Sequence, residues 1–194
     1  VAGLPASGKS TLVSAISDRL GAMVLDSDFA KRKLPEFDHA LAGAALVHDE
    51  SRLLIFGNAV SGSASLLEYC MSRKLNVVIP LVGNEEHRLK FVRNLLIENG
   101  YQVHLTAMLL DRTQATQRAL DRFLQTGRYI SLGMIFDRYA NDPVLNYHKA
   151  WMDADTGTDS QWASLGALAV ATHPAVVHSY SSDANPAALW GQTP

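Results

Sequence analysis

The sequence predicts an α/β protein, a three-layer α/β/α sandwich around a mostly parallel sheet, and three observations lead there. Short apolar, β-branched stretches alternate along the chain with longer stretches of helical spacing. A glycine-rich octapeptide, Gly3-Leu4-Pro5-Ala6-Ser7-Gly8-Lys9-Ser10, joins a strand remnant to the first helix. Acidic groups, Asp26 after the second strand and Asp111 after a later one, stand at strand C-termini, the edge at which open parallel sheets bind ligands.

The elements follow in order. Only Val1 and Ala2 precede Gly3, so the buried strand that normally feeds such a loop is expected to begin upstream of Val1. Residues 10–20 carry Leu12, Val13, Ile16 and Leu20 near helical spacing and stop at Gly21, a suitable C-cap. Residues 23–25 form a short strand that runs into Asp26-Ser27-Asp28, after which Lys31-Arg32-Lys33 and Pro35 mark an irregular passage. Residues 48–74 read as a long helical region interrupted near Ser61-Gly62-Ser63, and 75–81 (LNVVIPL) as a strand buried on both faces. A helix over 85–98 closes at Asn99-Gly100, a strand covers 101–110, and Thr113 is the expected N-cap of a helix carrying Arg118 and Arg122 and ending at Gly127. Past Pro143 the pattern is weaker: 153–162 is polar and loop-like, 163–171 small and apolar, 175–180 a last strand, and the remainder a tail. No repeat or linker divides the chain, so residues 1–194 are expected to form one domain, with 153–194 its least defined part.

Composition narrows the class. Among 194 residues, 17 are Lys or Arg and 19 are Asp or Glu, a net charge of −2 that argues against a broadly basic nucleic-acid surface. At 47% hydrophobic and 19% charged the chain is neither disordered nor a coiled coil, and no apolar run reaches the roughly 18 residues that a membrane span needs. Cys70 is the single cysteine, which excludes an intrachain disulfide and agrees with a reducing compartment, so the cytoplasm is the expected location. It sits among Leu66, Leu67 and Met71, where a buried, inert thiol is expected. The seven histidines show no metal-ligand spacing, and no structural zinc is expected.

The octapeptide fits GxxxxGK[ST], a pattern that arises by chance in roughly one chain of this length in a hundred before its strand-to-helix context is required. Its chemistry is that of a phosphate loop. The segment from Gly3 through Pro5, Ala6, Ser7 and Gly8 to Thr11 is expected to line the phosphates, its backbone N–H groups (all residues but Pro5) and the positive end of a helix dipole facing phosphate oxygens. Lys9 adds a cation for the β- and γ-phosphates, and the Ser10 hydroxyl ligates Mg²⁺. Asp26 and Asp28 lie at the end of the second strand. One of them suits Mg²⁺ held through water and the other the proton of an attacking hydroxyl, whereas a plain turn or helix cap would equally use this Asp-Ser-Asp run. Arg118 and Arg122 share a helix face and Arg128 follows the helix end. Guanidinium groups there suit a lid over the charge that develops in phosphoryl transfer, against the bland reading of a solvated face. His48-Asp49-Glu50-Ser51 opens a helix with acidic groups, a sound arrangement for the dipole alone and a candidate substrate surface otherwise.

Taken together, the phosphate loop, the Asp26-Ser27-Asp28 pattern, His48-Asp49-Glu50-Ser51 and the stretch from Arg118 to Arg128 (RALDRFLQTGR) give a chain that resembles the zeta toxin family of phosphate-loop kinases, from Gly3 to between Arg128 and Tyr147. The resemblance implies the fold of phosphate-loop nucleoside triphosphate hydrolases and nucleotide kinases. It also implies transfer of the ATP γ-phosphate to the 3′-hydroxyl of UDP-N-acetylglucosamine, in a toxin restrained by an antitoxin; an inhibitory N-terminal segment is a separate expectation. By the same resemblance Lys9 and Ser10 bind ATP and Mg²⁺, and Asp28 is the candidate general base. The resemblance also makes Arg118 and Arg128 the lid arginines and turns Glu50 and Ser51 to the substrate; from position alone, Asp26 is left for Mg²⁺ and the acceptor and Arg122 for the nucleotide. Many family members carry an acidic residue followed by Gly-Thr after the third strand. Here Pro80-Leu81-Val82-Gly83 stands instead, which removes an acceptor from the expected substrate pocket and leaves Gly83 as a place where backbone approaches ligand. Two other readings stay open. One is a kinase for another hydroxyl, such as an adenosine ribose or a nucleoside, and the other an ATP-dependent switch with no acceptor.

Overall fold

The structure, a computed structural model, describes residues 1–38, 46–57, 64–101, 103–110, 112–126, 130–155, 168–172 and 175–181. It is a mixed α/β chain that clusters into two compact units, Val1–Leu12 with Leu81–Pro194, and Val13–Pro80.

The first unit is built on a four-stranded sheet of β1 (Ala2–Gly3), β4 (His104–Leu109), β5 (Leu168–Thr172) and β6 (Ala175–Ser181), in the order β1-β4-β6-β5. Strands β1 and β4 run parallel, with Ala2 opposite Ala107 and Gly3 opposite Met108. Strand β6 is antiparallel to both β4 and β5, so this sheet is mixed rather than mostly parallel. The reason lies in chain length: two residues separate β5 from β6, which permits a hairpin and no parallel crossover. Residues of β4 alternate between two cores, as a period of two requires. Met108, with Leu110 just beyond the strand, joins Leu4, Ala115, Ala119 and Ile135, while Leu105 and Ala107 join Ala2 and Tyr147. The first core is closed by α6 (Arg112–Thr126) and a π-helical segment, Met134–Tyr139. The second is closed by Leu89 of α5 (Glu86–Glu98) and by Tyr147 and Ala150 of α7 (Asp142–Asp155). Helix α6 begins at Arg112 rather than after Thr113. Helix α7 has Asp142 ahead of Pro143, whose missing N–H costs nothing in a first helical turn.

Helix α1 (Lys9–Leu20) starts in the first unit and continues into the second, ending at Gly21 as its sequence predicts. In the second unit β2 (Met23–Val24) pairs parallel with β3 (Val77–Val78). The two strands are shorter than their apolar runs, and the pairing is extended by Leu25 N–H on Val78 O at 2.9 Å. Between them come α2 (Ser27–Lys31), a 3₁₀ turn at Pro35–Asp38, α3 (His48–Phe56) and α4 (Leu66–Ser72). The helical region expected over 48–74 with an interruption near Ser61-Gly62-Ser63 is two helices, the second started by a capping box; those three residues lie outside the described residues. Ser65 Oγ accepts from Glu68 N–H while Glu68 Oε2 accepts from Ser65 N–H at 2.7 Å. Cys70 is buried on α4, and loss of water raises its thiol pKa, as befits an inert cysteine. Among the described residues no helix is long and apolar enough to cross a membrane.

Candidate functional site

The loop between β1 and α1 has the backbone that cradling an anion requires. Gly3, Ala6 and Gly8 all have positive φ, +154°, +61° and +94°, which turns the intervening peptide units inward. Gly3 has no room for a side chain, since a Cβ there would stand 2.8 Å from Met108 O. Ser7 is fully buried beneath the loop, where its hydroxyl has no hydrogen-bond partner among the described residues. Ser10 and Thr11 are exposed in the first turn of α1; of the N–H groups expected to face phosphate, those of Gly3, Ser7 and Thr11 donate instead to Val82 O, Leu4 O and Gly8 O. Lys9 reaches back over the loop and donates from Nζ to Gly3 O and Leu4 O, each at 2.7 Å. Its ammonium is thus held at the loop rather than in solvent.

Arg118 comes to the same place from the far side of the sequence. A Cβ built on Gly8 would lie 3.7 Å from Arg118 Nη1 and 3.6 Å from Met108 Cε, so the guanidinium rests against the last glycine of the loop. Arg122, one turn further along α6, is half-buried. Arg128 lies outside the described residues, as do Gly127 and Asp111. Two cations, Lys9 and Arg118, therefore stand at a concave backbone turn at the N-terminus of a helix. These residues fit a nucleoside triphosphate, and the exposed Ser10 hydroxyl is a suitable oxygen ligand for Mg²⁺ beside it.

Four other sequence-predicted residues belong to the second unit. Asp26 is the N-cap of α2, its Oδ1 accepting Asp28 N–H at 2.9 Å, so the plain capping role is present in the structure. Asp28 Oδ1 receives Lys31 Nζ at 3.0 Å, with the Lys31 side chain 13% exposed and that of Asp28 40%. Sequence reasoning misses this partnership, although the i, i+3 spacing of Lys31 from Asp28 is a usable signal. Glu50 is exposed in the first turn of α3. Ser51 is buried, and its hydroxyl donates to His48 O at 2.8 Å, so this side chain is engaged within its own helix.

Gly83 lies in the first unit. Its φ is +83°, a Cβ on it would meet Ala2 Cβ at 2.9 Å, and its carbonyl accepts from Asn146 Nδ2 at 3.0 Å. The packing against β1 is reason enough for glycine here. Met108 and Asn146 are the residues of this region that sequence reasoning misses, because each acts through a contact with residues far away in the chain.

Residues 1–141 match the family model described as zeta toxin, a stretch that contains the phosphate loop, both aspartates and the arginines of α6 and stops just before α7. No curated protein and no solved structure matches the chain significantly. With well over half of its 194 residues matched, the chain belongs to the zeta toxin family, a phosphate-loop family of kinase type.

Proposed function

We propose that the protein is an ATP-dependent kinase that transfers the γ-phosphate to a hydroxyl of a nucleotide-containing metabolite. The first candidate acceptor is the 3′-hydroxyl of UDP-N-acetylglucosamine, with the protein acting in the cytoplasm as a zeta-type toxin under the control of an antitoxin. The fold that goes with this reading is the three-layer α/β/α sandwich of nucleotide kinases. The observation that carries the reading is Arg118 resting on Gly8 beside Lys9. A loop that only bound nucleotide would need the lysine, whereas a second cation at its last glycine suits charge that builds up during transfer.

In the proposed reaction Lys9 and the loop N–H groups hold the β- and γ-phosphates, and Arg118, assisted by Arg122 and Arg128, neutralises the equatorial oxygens. Ser10 and Asp26 would hold Mg²⁺, which would supply charge neutralisation to the transferred phosphate. Asp28 accepts the proton of the acceptor hydroxyl as the new O–P bond forms and the bond from γ-phosphorus to the bridging oxygen breaks, releasing ADP. Lys31 keeps the Asp28 carboxylate oriented on α2. Glu50 and Ser51, at the start of α3, and Gly83 are assigned to the acceptor side.

Incubation with ATP, Mg²⁺ and UDP-N-acetylglucosamine should yield a product heavier by one phosphoryl group, read by mass spectrometry. Asp28→Asn should lower kcat by about 10²- to 10⁴-fold with MgATP affinity nearly unchanged. Lys9→Ala should damage binding and turnover together. Transfer by Asp28→Asn at the parental rate would remove the base assignment. Full turnover of ATP to ADP with no acceptor present would favour the switch reading instead.

A further inference from the structure

Helix α7 begins at Asp142, immediately after the part of the chain that the family model matches. Its Asn146 is nevertheless tied to the phosphate loop through two consecutive hydrogen bonds. Asn146 is only 8% exposed, and its Nδ2 donates to Gly83 O at 3.0 Å, a buried contact between residues 63 apart in sequence. The carbonyl next to it, Val82 O, accepts the N–H of Gly3 at 3.1 Å, and Gly3 is the first glycine of the loop. Between these two anchors Gly83, at φ +83°, stands so close to β1 that a Cβ on it would lie 2.9 Å from Ala2 Cβ.

We infer that Asn146 is a positioning residue for nucleotide binding: by holding Gly83 O it sets the Val82 carbonyl on which Gly3 N–H rests, and with it the entry of the phosphate loop. The ligand class is a nucleoside di- or triphosphate, so the inference rests on the nucleotide-binding part of the proposed function and not on the acceptor. The amide is the required chemistry. An ionised Asp of the same shape presents oxygen to an oxygen, and Ala leaves a buried carbonyl without this donor. A second tether from α7, Lys149 Nζ to Glu86 Oε2 at 3.1 Å, ends on the exposed face of α5 rather than on the turn, and it serves as a control on the same helix.

The test titrates MgADP by calorimetry into the parent, Asn146→Ala, Asn146→Asp and Lys149→Met, alongside the thermal midpoint of each. Asn146→Ala should weaken MgADP by about 3- to 10-fold and Asn146→Asp by at least as much, the range in which a residue without ligand contact modulates a distant site. Lys149→Met should keep parental affinity even where its midpoint falls. A merely structural Asn146 would lower the midpoint and leave the affinity of the folded protein unchanged, and that outcome overturns the inference. Should both Asn146 variants fail to fold, the parent decides. Coupling is reciprocal, so saturating MgADP must slow exchange of the Asn146 side-chain amide protons, and an unchanged rate overturns the inference equally. A parent that binds no MgADP overturns the nucleotide reading, and this inference with it; a parent that binds while the variants match it overturns this inference alone.

Discussion

A methyl group added at Gly83 separates two explanations of why glycine stands there. If the residue served only to bring backbone close to an acceptor, Ala would cost affinity and little stability. In the structure the added Cβ falls 2.9 Å from Ala2 Cβ at a φ of +83°, a clash with a strand side chain in a conformation that L residues avoid. Gly83→Ala should therefore lose about 2 to 4 kcal/mol in urea unfolding, the sum of overpacking and backbone strain. Ser51 and Asp26 teach a related point about reading polar residues. Their types suit substrate and metal, yet one hydroxyl is turned onto His48 O and one carboxylate oxygen caps α2. Side-chain chemistry is legible in the sequence, but the partner of each polar atom depends on rotamers and on neighbours that spacing does not specify. Lys9 is the contrasting case, since its reach over the loop follows from its place at the start of α1 and from the short span back to Gly3 and Leu4.

Among the elements, those governed by neighbouring residues are the most closely legible. Helix α1 ends at Gly21 and α5 at Asn99, as their caps require, while β4 and β6 fall within one to three residues of the apolar runs that announce them. The division of the 48–74 region into α3 and α4 is marked in the sequence by the interruption expected near Ser61-Gly62-Ser63 and by Ser65-Leu66-Leu67-Glu68, a capping box that fixes where the second helix starts. Ser65→Ala should remove the bond from Glu68 N–H to Ser65 Oγ while leaving the residue-65 N–H on the Glu68 carboxylate, and cost about 1 kcal/mol of unfolding free energy in urea, with Ser65→Thr retaining most of the stability. Neither the π-helical segment nor α7 is anticipated by the sequence pattern. The first has no simple periodic signature. The second opens with Asp142-Pro143, which reads as a loop as readily as a helix start until Tyr147 is seen buried against β4.

Over the molecule as a whole, pH exposes one of the ties that hold the first unit. Hydrogen bonds from Lys90 and Lys149 hold the Glu86 carboxyl below its ordinary value of 4.5, against a smaller opposing effect of burial. A depressed carboxylate contributes stability above its unfolded pKa and loses that contribution as pH falls through the folded value. Glu86→Gln should thus lower the unfolding free energy in urea at pH 7 by no more than about 1 kcal/mol for partners so exposed, with the difference shrinking in high salt and vanishing near pH 2. The larger lesson concerns distance along the chain. The phosphate loop, its lysine and serine, the aspartate pair and the alternation of strand and helix can be read directly, because each depends on local backbone conformation and on residue types at short spacing. The mixed character of the sheet, the arrival of Arg118 at Gly8 and the grip of Asn146 on Gly83 cannot. Those contacts join segments tens of residues apart, and they exist because packing on the two faces of β4 brings α6 and α7 to opposite sides of the strand that feeds the loop.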